Sequence, residues 1–323
     1  MWFWAMKLAR YIVKRIGLAI ITIFTLATIT FFLTRVAPGD PFTKTKEIPA
    51  DTMANLRVKY GLDKPILVQY AIQMKQIFVD FDFGTSFRTL GRDVNEIIRD
   101  QFPVSAKLGF FSVAAGAIIG IGLGAIAALR RNSAVDRLSM FICVLGLAVP
   151  GFLLSYLFQY FFAVVPVTRF GWSASHWLPA AGWGEWRHYM LPGLSLSLGT
   201  IATIGRLTRS QMIEVQSADY IKTAKAKGIP ALRLVFAHEL RNALPPVLSV
   251  LGPLLVSTMM GAMIIENIFG VPGLGRVILD AVMNNDYNLI MGVTIFEGSF
   301  LVLVMLLTDI LYGIVDPRIR VGA

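Results

Sequence analysis

Few side chains in this sequence are placed to do chemistry. Three acids fall within apolar stretches, Glu266, Glu297 and Asp309. An ionisable group inside a membrane-length apolar helix is costly, so it marks either a translocation pathway or a structural ion pair. Asp309 lies close to the end of its stretch and suits pairing with a nearby base. Glu266 and Glu297 are the pathway candidates, with pairing the equal alternative for Glu297. The three histidines are His176, His188 and His238. His238-Glu239 lacks the second histidine of a zinc-protease helix. No Gly-Lys dipeptide occurs, so there is no P-loop to hold ATP. Gly193-Leu-Ser195-Leu-Ser197 is not a nucleophile elbow. The single cysteine, Cys143, allows neither an intramolecular disulfide nor a cysteine metal cluster. The residues name no catalytic group, no metal ligand and no bound cofactor.

The most specific local signal is SADYIKTAKAKGIP, residues 217–230, a short helix with its boundaries written in. Ser217 suits an N-cap, Asp219 the positive end of the helix dipole, and Lys225 and Lys227 the negative end. Gly228 suits the left-handed position after the last turn, and Pro230 stops the helix. Ala218, Ile221 and Ala224 form a narrow stripe of small and apolar side chains at three-residue spacing. Held between membrane spans, such a helix fits a groove on a soluble partner.

The elements that position it are apolar. The 323 residues are 55% hydrophobic and 15% charged, with a mean hydropathy of +0.64. Six runs are long enough to cross a bilayer: approximately Ile16–Leu33, Leu108–Leu129, Leu138–Val165, Tyr189–Gly205, Val247–Ile268 and Leu289–Val315. The first is longer than a signal-peptide core and is followed by RVAPGDPF rather than a small-residue cleavage site. The net charge of +10 is distributed as a membrane protein distributes it. Lys7, Arg10, Lys14 and Arg15 precede the first run, Arg130, Arg131 and Arg137 fill one loop, and Arg318 and Arg320 end the chain. With the bases between Arg206 and Arg241, all of these fall on one side of a six-span topology. The positive-inside rule makes that side, and both termini, cytoplasmic. Nucleic acid is not the partner this charge implies.

Residues 1–15 read as an interfacial helix meeting the lipid bilayer, or equally as an extension of the first span (16–35). Residues 36–103 form an extracytoplasmic segment, expected to be a small ordered cap with helical patterning around 53–60 and 68–78. The remainder, 104–323, is a core carrying the inner loop 206–241. Gly120-Ile-Gly122-Leu-Gly124 superficially resembles the start of a nucleotide-binding loop, but Gly116, Gly120 and Gly124, at four-residue spacing inside an apolar helix, point to close helix packing. Pro150 and Pro245-Pro246 mark kinks or the start of spans.

At RVAPGDPF, YGLDKPILVQY, FGTSFRT, SADYIKTAKAKG, HELRNALPPV, ENIFGVPGLGRVILDAVMNNDY and DILYGIVDPRIR, the sequence resembles the membrane subunit of an ABC importer. The resemblance is to the dipeptide/oligopeptide permease family, which also includes nickel permeases, and to its first permease subunit. It runs nearly end to end. It implies an all-α membrane protein of the type I ABC importer permease fold, in a prokaryotic cytoplasmic membrane. The implied partners are a second homologous permease, two ATP-binding subunits that hold ATP and Mg, an extracytoplasmic substrate-binding protein and a peptide substrate. It implies that Ala218, Asp219, Tyr220, Ile221, Lys222, Thr223, Ala224, Lys225, Ala226, Lys227 and Gly228 dock the ATPase as the EAA-like coupling motif. Counted back from Gly228, the motif's Glu-Ala-Ala falls on Lys222, Thr223 and Ala224, so its glutamate is absent. Import of a nickel chelate or another small solute is the alternative within the class. A stand-alone secondary transporter is the alternative outside it.

Overall fold

The computed structural model describes residues 2–36, 57–58, 61–88, 91–173, 177–260 and 262–315, with side chains between residues 13 and 307. The APGDP turn, most of the 53–60 pattern and the DPRIR ending lie outside the described residues. So do the side chains of Asp309 and of the N-terminal aromatics.

The chain is helical: α1 (Trp2–Val36), α2 (Ile66–Lys75), α3 (Val94–Leu129), α4 (Ala134–Ala148), α5 (Gly151–Gln159), α6 (Val165–Phe170), α7 (Arg187–Ser217), α8 (Asp219–Ala226), α9 (Ala231–Arg233), α10 (Arg241–Met259), α11 (Met263–Phe269), α12 (Leu274–Met283) and α13 (Tyr287–Val315). Wider π-type turns extend α2 through Asp80, join α5 to α6, and join α9 to α10. Residues 2–15 continue into the first apolar run as one helix.

Five stretches among the described residues are long and apolar enough to cross a membrane: Val13–Val36, Val94–Leu129, Gly151–Phe170, Ala231–Met259 and Tyr287–Leu307. Two of the expected runs are divided. The run 138–165 breaks at Val149, held extended (φ −92°, ψ 127°) because Pro150 follows it and crowds the helical conformation. The run 247–268 ends as a helix at Met259 and resumes as the separate α11; its helix instead begins upstream, with Pro245 and Pro246 inside it. The fourth run sits in α7, which spans 31 residues and becomes polar toward its C-terminus.

The chain divides into two compact units. One comprises residues 1–103 and 276–307. Its core joins Ala27 and Phe31 of α1, Met74 and Ile77 of the α2 stretch, and Met291 and Ile295 of α13. Tyr70 packs on Phe31 and Phe32, with its hydroxyl 2.9 Å from Thr28 Oγ1, while Phe78 meets Phe24. These pairings run α2 antiparallel beside α1, where the sequence suggested a cap. Asp286 is the polar knot. It takes hydrogen bonds from Ser86 Oγ (2.5 Å) and the Phe87 and Arg88 amides, and it caps α13 by accepting from Leu289 N (3.3 Å).

The other unit comprises residues 104–275 and 308–323. Here α3 and α7 approach closely, as the glycine spacing suggested. A Cβ on Gly116 would lie 2.8 Å from Thr200 Cβ, and one on Gly120 would lie 3.0 Å from the Ile201 carbonyl oxygen. Gly205 in turn leaves room for Cys143 Sγ. Gln159 Nε2 donates to the Ala180 and Ile268 carbonyls and ties α5 to α11 and to the loop before α7.

Candidate functional site

The sequence-predicted helix is α8, and its two ends are built differently. Its C-terminus is the expected one. Gly228 takes φ +72°, its amide donates to the Lys225 carbonyl at 3.0 Å, and Ile229 N donates to the Ala224 carbonyl at 3.4 Å. Those two bonds are a Schellman motif, and the contact of Ile229 with the Ala224 cluster completes it. Pro230 then begins α9. The N-terminus corrects the expectation. Ser217 does not cap α8; its Oγ donates to the Glu214 carbonyl (2.6 Å) inside the last turn of α7. Ala218 occupies the N-cap in extended geometry without a side-chain bond. Asp219 instead pairs with Lys222 Nζ at 2.9 Å.

The small-residue stripe faces the protein's own body. Ile221 is 0% exposed and Ala224 is buried, packed with Leu234 of the π-type turn and with Val215 and Ile229; Ala218 is half-buried. The face left open carries Asp219, Tyr220, Lys222, Thr223, Lys225, Ala226, Lys227 and Gly228, with Tyr220 50% exposed. The helix therefore presents one aromatic ring, three lysines and a glycine turn. Its apolar side fixes it to the chain.

Two buried polar pairs, not singled out by the sequence, brace the stem of this helix. Gln216 Nε2 donates to Glu239 Oε2 at 2.9 Å, and Glu239 is nearly inaccessible. Two turns further back along α7, Arg209 binds Asp136 at the start of α4 through Nε and Nη2. Asp136 also accepts from Asn132 N, and its own amide donates to Ser133 Oγ. The Arg209 guanidinium holds the Asp136 carboxyl below the usual carboxylate range, against the opposing effect of burial. The run Ser133-Ala-Val-Asp136 is a capping-box pattern and was the readable signal for this acid.

The two acids named as pathway candidates lie in different units. Glu266 is 1% exposed and accepts from Ser105 Oγ at 2.7 Å, while Ser105 Oγ accepts from Leu274 N at 2.8 Å. A Cβ on Gly273 would come within 2.6 Å of the Glu266 carboxyl carbon, so the glycine permits the fold of 266–274 around that carboxylate. Glu297 is half-buried on α13.

This arrangement, a capped basic helix between membrane-length helices, is that of a transporter's membrane subunit. Residues 120–321 match the family described as binding-protein-dependent transport system inner membrane component, and residues 8–109 match its N-terminal counterpart. The chain belongs to that family, and it is a multi-pass membrane protein. It is 40% identical over 313 residues to the oligopeptide transport system permease protein OppB of Escherichia coli (strain K12), covering 96% of this chain and 99% of that one. It is 41% identical to the dipeptide transport system permease protein DppB of Bacillus subtilis (strain 168), covering 97% and 98%. Among solved structures, an inward-facing MetNI methionine ABC transporter superimposes with a TM-score of 0.53 at 16% identity, over 69% of this chain and 97% of that one. An amino acid ABC transporter superimposes at 0.51 and 14% identity, over 67% and 93%. Those two share the fold.

Proposed function

We propose that this chain is one of two permease subunits of an ATP-driven importer of dipeptides or oligopeptides in a prokaryotic cytoplasmic membrane. It crosses that membrane six times, with α7 supplying the span beyond the five most apolar stretches, and both termini are cytoplasmic. The fold is that of a type I ABC importer permease. The chain hydrolyses no ATP itself; two ATP-binding subunits hold ATP and Mg, and an extracytoplasmic binding protein delivers the peptide. The observation that carries this reading is α8: its apolar stripe is sealed into its own unit while Tyr220, Lys222, Lys225, Lys227 and Gly228 stand open between spanning helices.

The mechanism follows from that anchoring. A soluble subunit that grips the open face moves α8, and the packed stripe and the Gln216–Glu239 bond pass the displacement to α7. A helix pair with two discrete positions then exposes a cavity to one side at a time. Glu297 is the better pathway candidate of the two acids, because Glu266 is closed off even in the isolated chain, where every subunit interface stands open. The names of the relatives at about 40% identity favour peptide over a nickel chelate as cargo. The test is co-purification with the ATP-binding subunits, followed by ATPase measurement in proteoliposomes. Turnover that rises when peptide-loaded binding protein is added supports the reading. ATP-independent uptake driven by an ion gradient contradicts it.

A further inference from the structure

We propose that residues 66–80 form a helix half-inserted in the outer leaflet of the bilayer, with a lipid acyl chain in the groove between it and α1. The leaflet named rests on the orientation proposed above.

The helix is apolar on both sides. Tyr70, Met74, Ile77 and Phe78 pack into the unit's core. The opposite stripe, Val68, Ala71, Ile72, Lys75 and Val79, is exposed, with Val79 65% accessible. Leu67 (69%) and Phe81 (77%) add to the exposed apolar surface. A cap standing in water would present a polar stripe there; the helix's polar side, Gln69, Gln73 and Gln76, is instead half-buried or buried beside the core, and the side left exposed is apolar, which suits an apolar surrounding. Lys75 is the only charge on the stripe, and its long stem can carry the ammonium up to headgroup phosphates. Asp80 is exposed but turned off the stripe by about 100°, onto the edge that carries Gln69, Gln73 and Gln76.

Depth is set by α1. Its apolar run ends at Leu33, and Phe24, which meets Phe78, lies nine residues further in, about 14 Å along the axis. That is about half of a ~30 Å hydrocarbon core. Below this contact the groove continues as a cavity of about 520 Å³, walled by Ile20, Ile21 and Phe24 of α1 and by Met74, Lys75, Phe78 and Val79. It is continuous with the exposed side of a membrane-crossing helix, which is the argument for lipid as the occupant.

The turn that ends the helix is built for such a setting, where unpaired backbone groups are expensive. Phe81, at φ 52°, donates its amide to the Gln76 carbonyl, as does Asp82 N at 3.0 Å. The Asn95 side chain closes two more groups, donating to the Phe81 carbonyl at 2.9 Å and accepting from Phe83 N at 3.0 Å. Asp82 Oδ1 accepts from Gly84 N.

The test is site-directed spin labelling of the assembled transporter in proteoliposomes, in a Cys143→Ala background. Labels are placed through Ile72→Cys and Val79→Cys, with Asp63→Cys as reference. Collision with dissolved oxygen should exceed collision with a water-soluble nickel chelate several-fold at positions 72 and 79, and the ratio should invert at 63. Chelate reaching position 79 as readily as position 63 overturns the proposal. So does a label at 79 reached by neither reagent, which would show a protein partner there. Impermeant maleimide applied from outside should modify position 63; modification only from inside overturns the orientation, and the outer leaflet with it, while the apolar placement is read separately from positions 72 and 79.

Discussion

Arg209 meets Asp136 in a fork, Nε to Oδ1 at 2.6 Å and Nη2 to Oδ2 at 2.8 Å, across 73 positions of sequence. The carboxylate is almost wholly buried and the guanidinium only partly exposed. Two parallel charge-assisted bonds fix orientation as well as distance, so the start of α4 and the polar end of α7 are locked together. Asp136→Asn should destabilise the protein by on the order of 2 kcal/mol, the usual scale for a hydrogen bond to a charged group. Thermal unfolding in detergent would measure it.

The same pair has a pH signature. The folded-state value of Asp136 is lowered, so its stabilisation is complete above the unfolded Asp value of about 3.9 and is lost as pH falls from there through the lowered value. Unfolding temperature should be insensitive to this group between pH 5 and 8, as about one unit above that value already suffices. Asp136→Asn should flatten part of the acid limb of the wild-type profile. An unchanged acid limb in the variant would remove Arg209–Asp136 from the account.

Packing of α3 on α7 gives a contrast between two neighbouring glycines. A Cβ on Gly124 would strike the Gly205 carbonyl and Thr208, whereas Gly122 has nothing within 4 Å. Gly124→Val should cost about 1–3 kcal/mol through overpacking. Gly122→Ala should be neutral or slightly stabilising, because alanine favours the helix. Yield and unfolding temperature of the two variants, compared side by side, would decide it.

Ser105 holds Glu266 and the Leu274 amide with one hydroxyl. Ser105→Ala leaves a buried carboxylate with one bond fewer and an amide unpaired, a loss of about 1–3 kcal/mol. Hydrogen exchange should show faster opening of residues 266–274 in that variant. Unaltered exchange would mean that the hydroxyl contributes nothing to closing the segment.

Gly228 has open space around it, so a side chain there is opposed by backbone conformation alone. At φ +72° a β-branched residue bears a cost of at least about 1–2 kcal/mol. Gly228→Val should insert into the membrane normally and lose peptide-stimulated ATPase activity. Normal uptake by this variant would count against a coupling role for α8.

What could be read from the sequence followed from how local each signal is. The end of α8 was legible because Gly228 and Pro230 act on their own backbone. Its start was not, because Ser217 had a competing acceptor one turn back in the Glu214 carbonyl. The direction of the Ala218–Ile221–Ala224 stripe depends on Val215, Ile229 and Leu234 closing around it, which periodicity cannot report. The break at Val149–Pro150 was carried by one proline within an otherwise continuous apolar run. The course of α2 beside α1 depends on pairs such as Tyr70 with Thr28, 42 positions apart. Asp286 was hidden for the same reason, since its partners come from residues about 200 positions earlier.

The central claim is that the open face of α8 is what an ATP-hydrolysing subunit grips. A photo-reactive amino acid placed at Tyr220 or Lys227 in the assembled complex should cross-link to that subunit in membranes, and one at the buried Ile221 should not. No adduct from either open position, or an adduct from Ile221 alone, would contradict it.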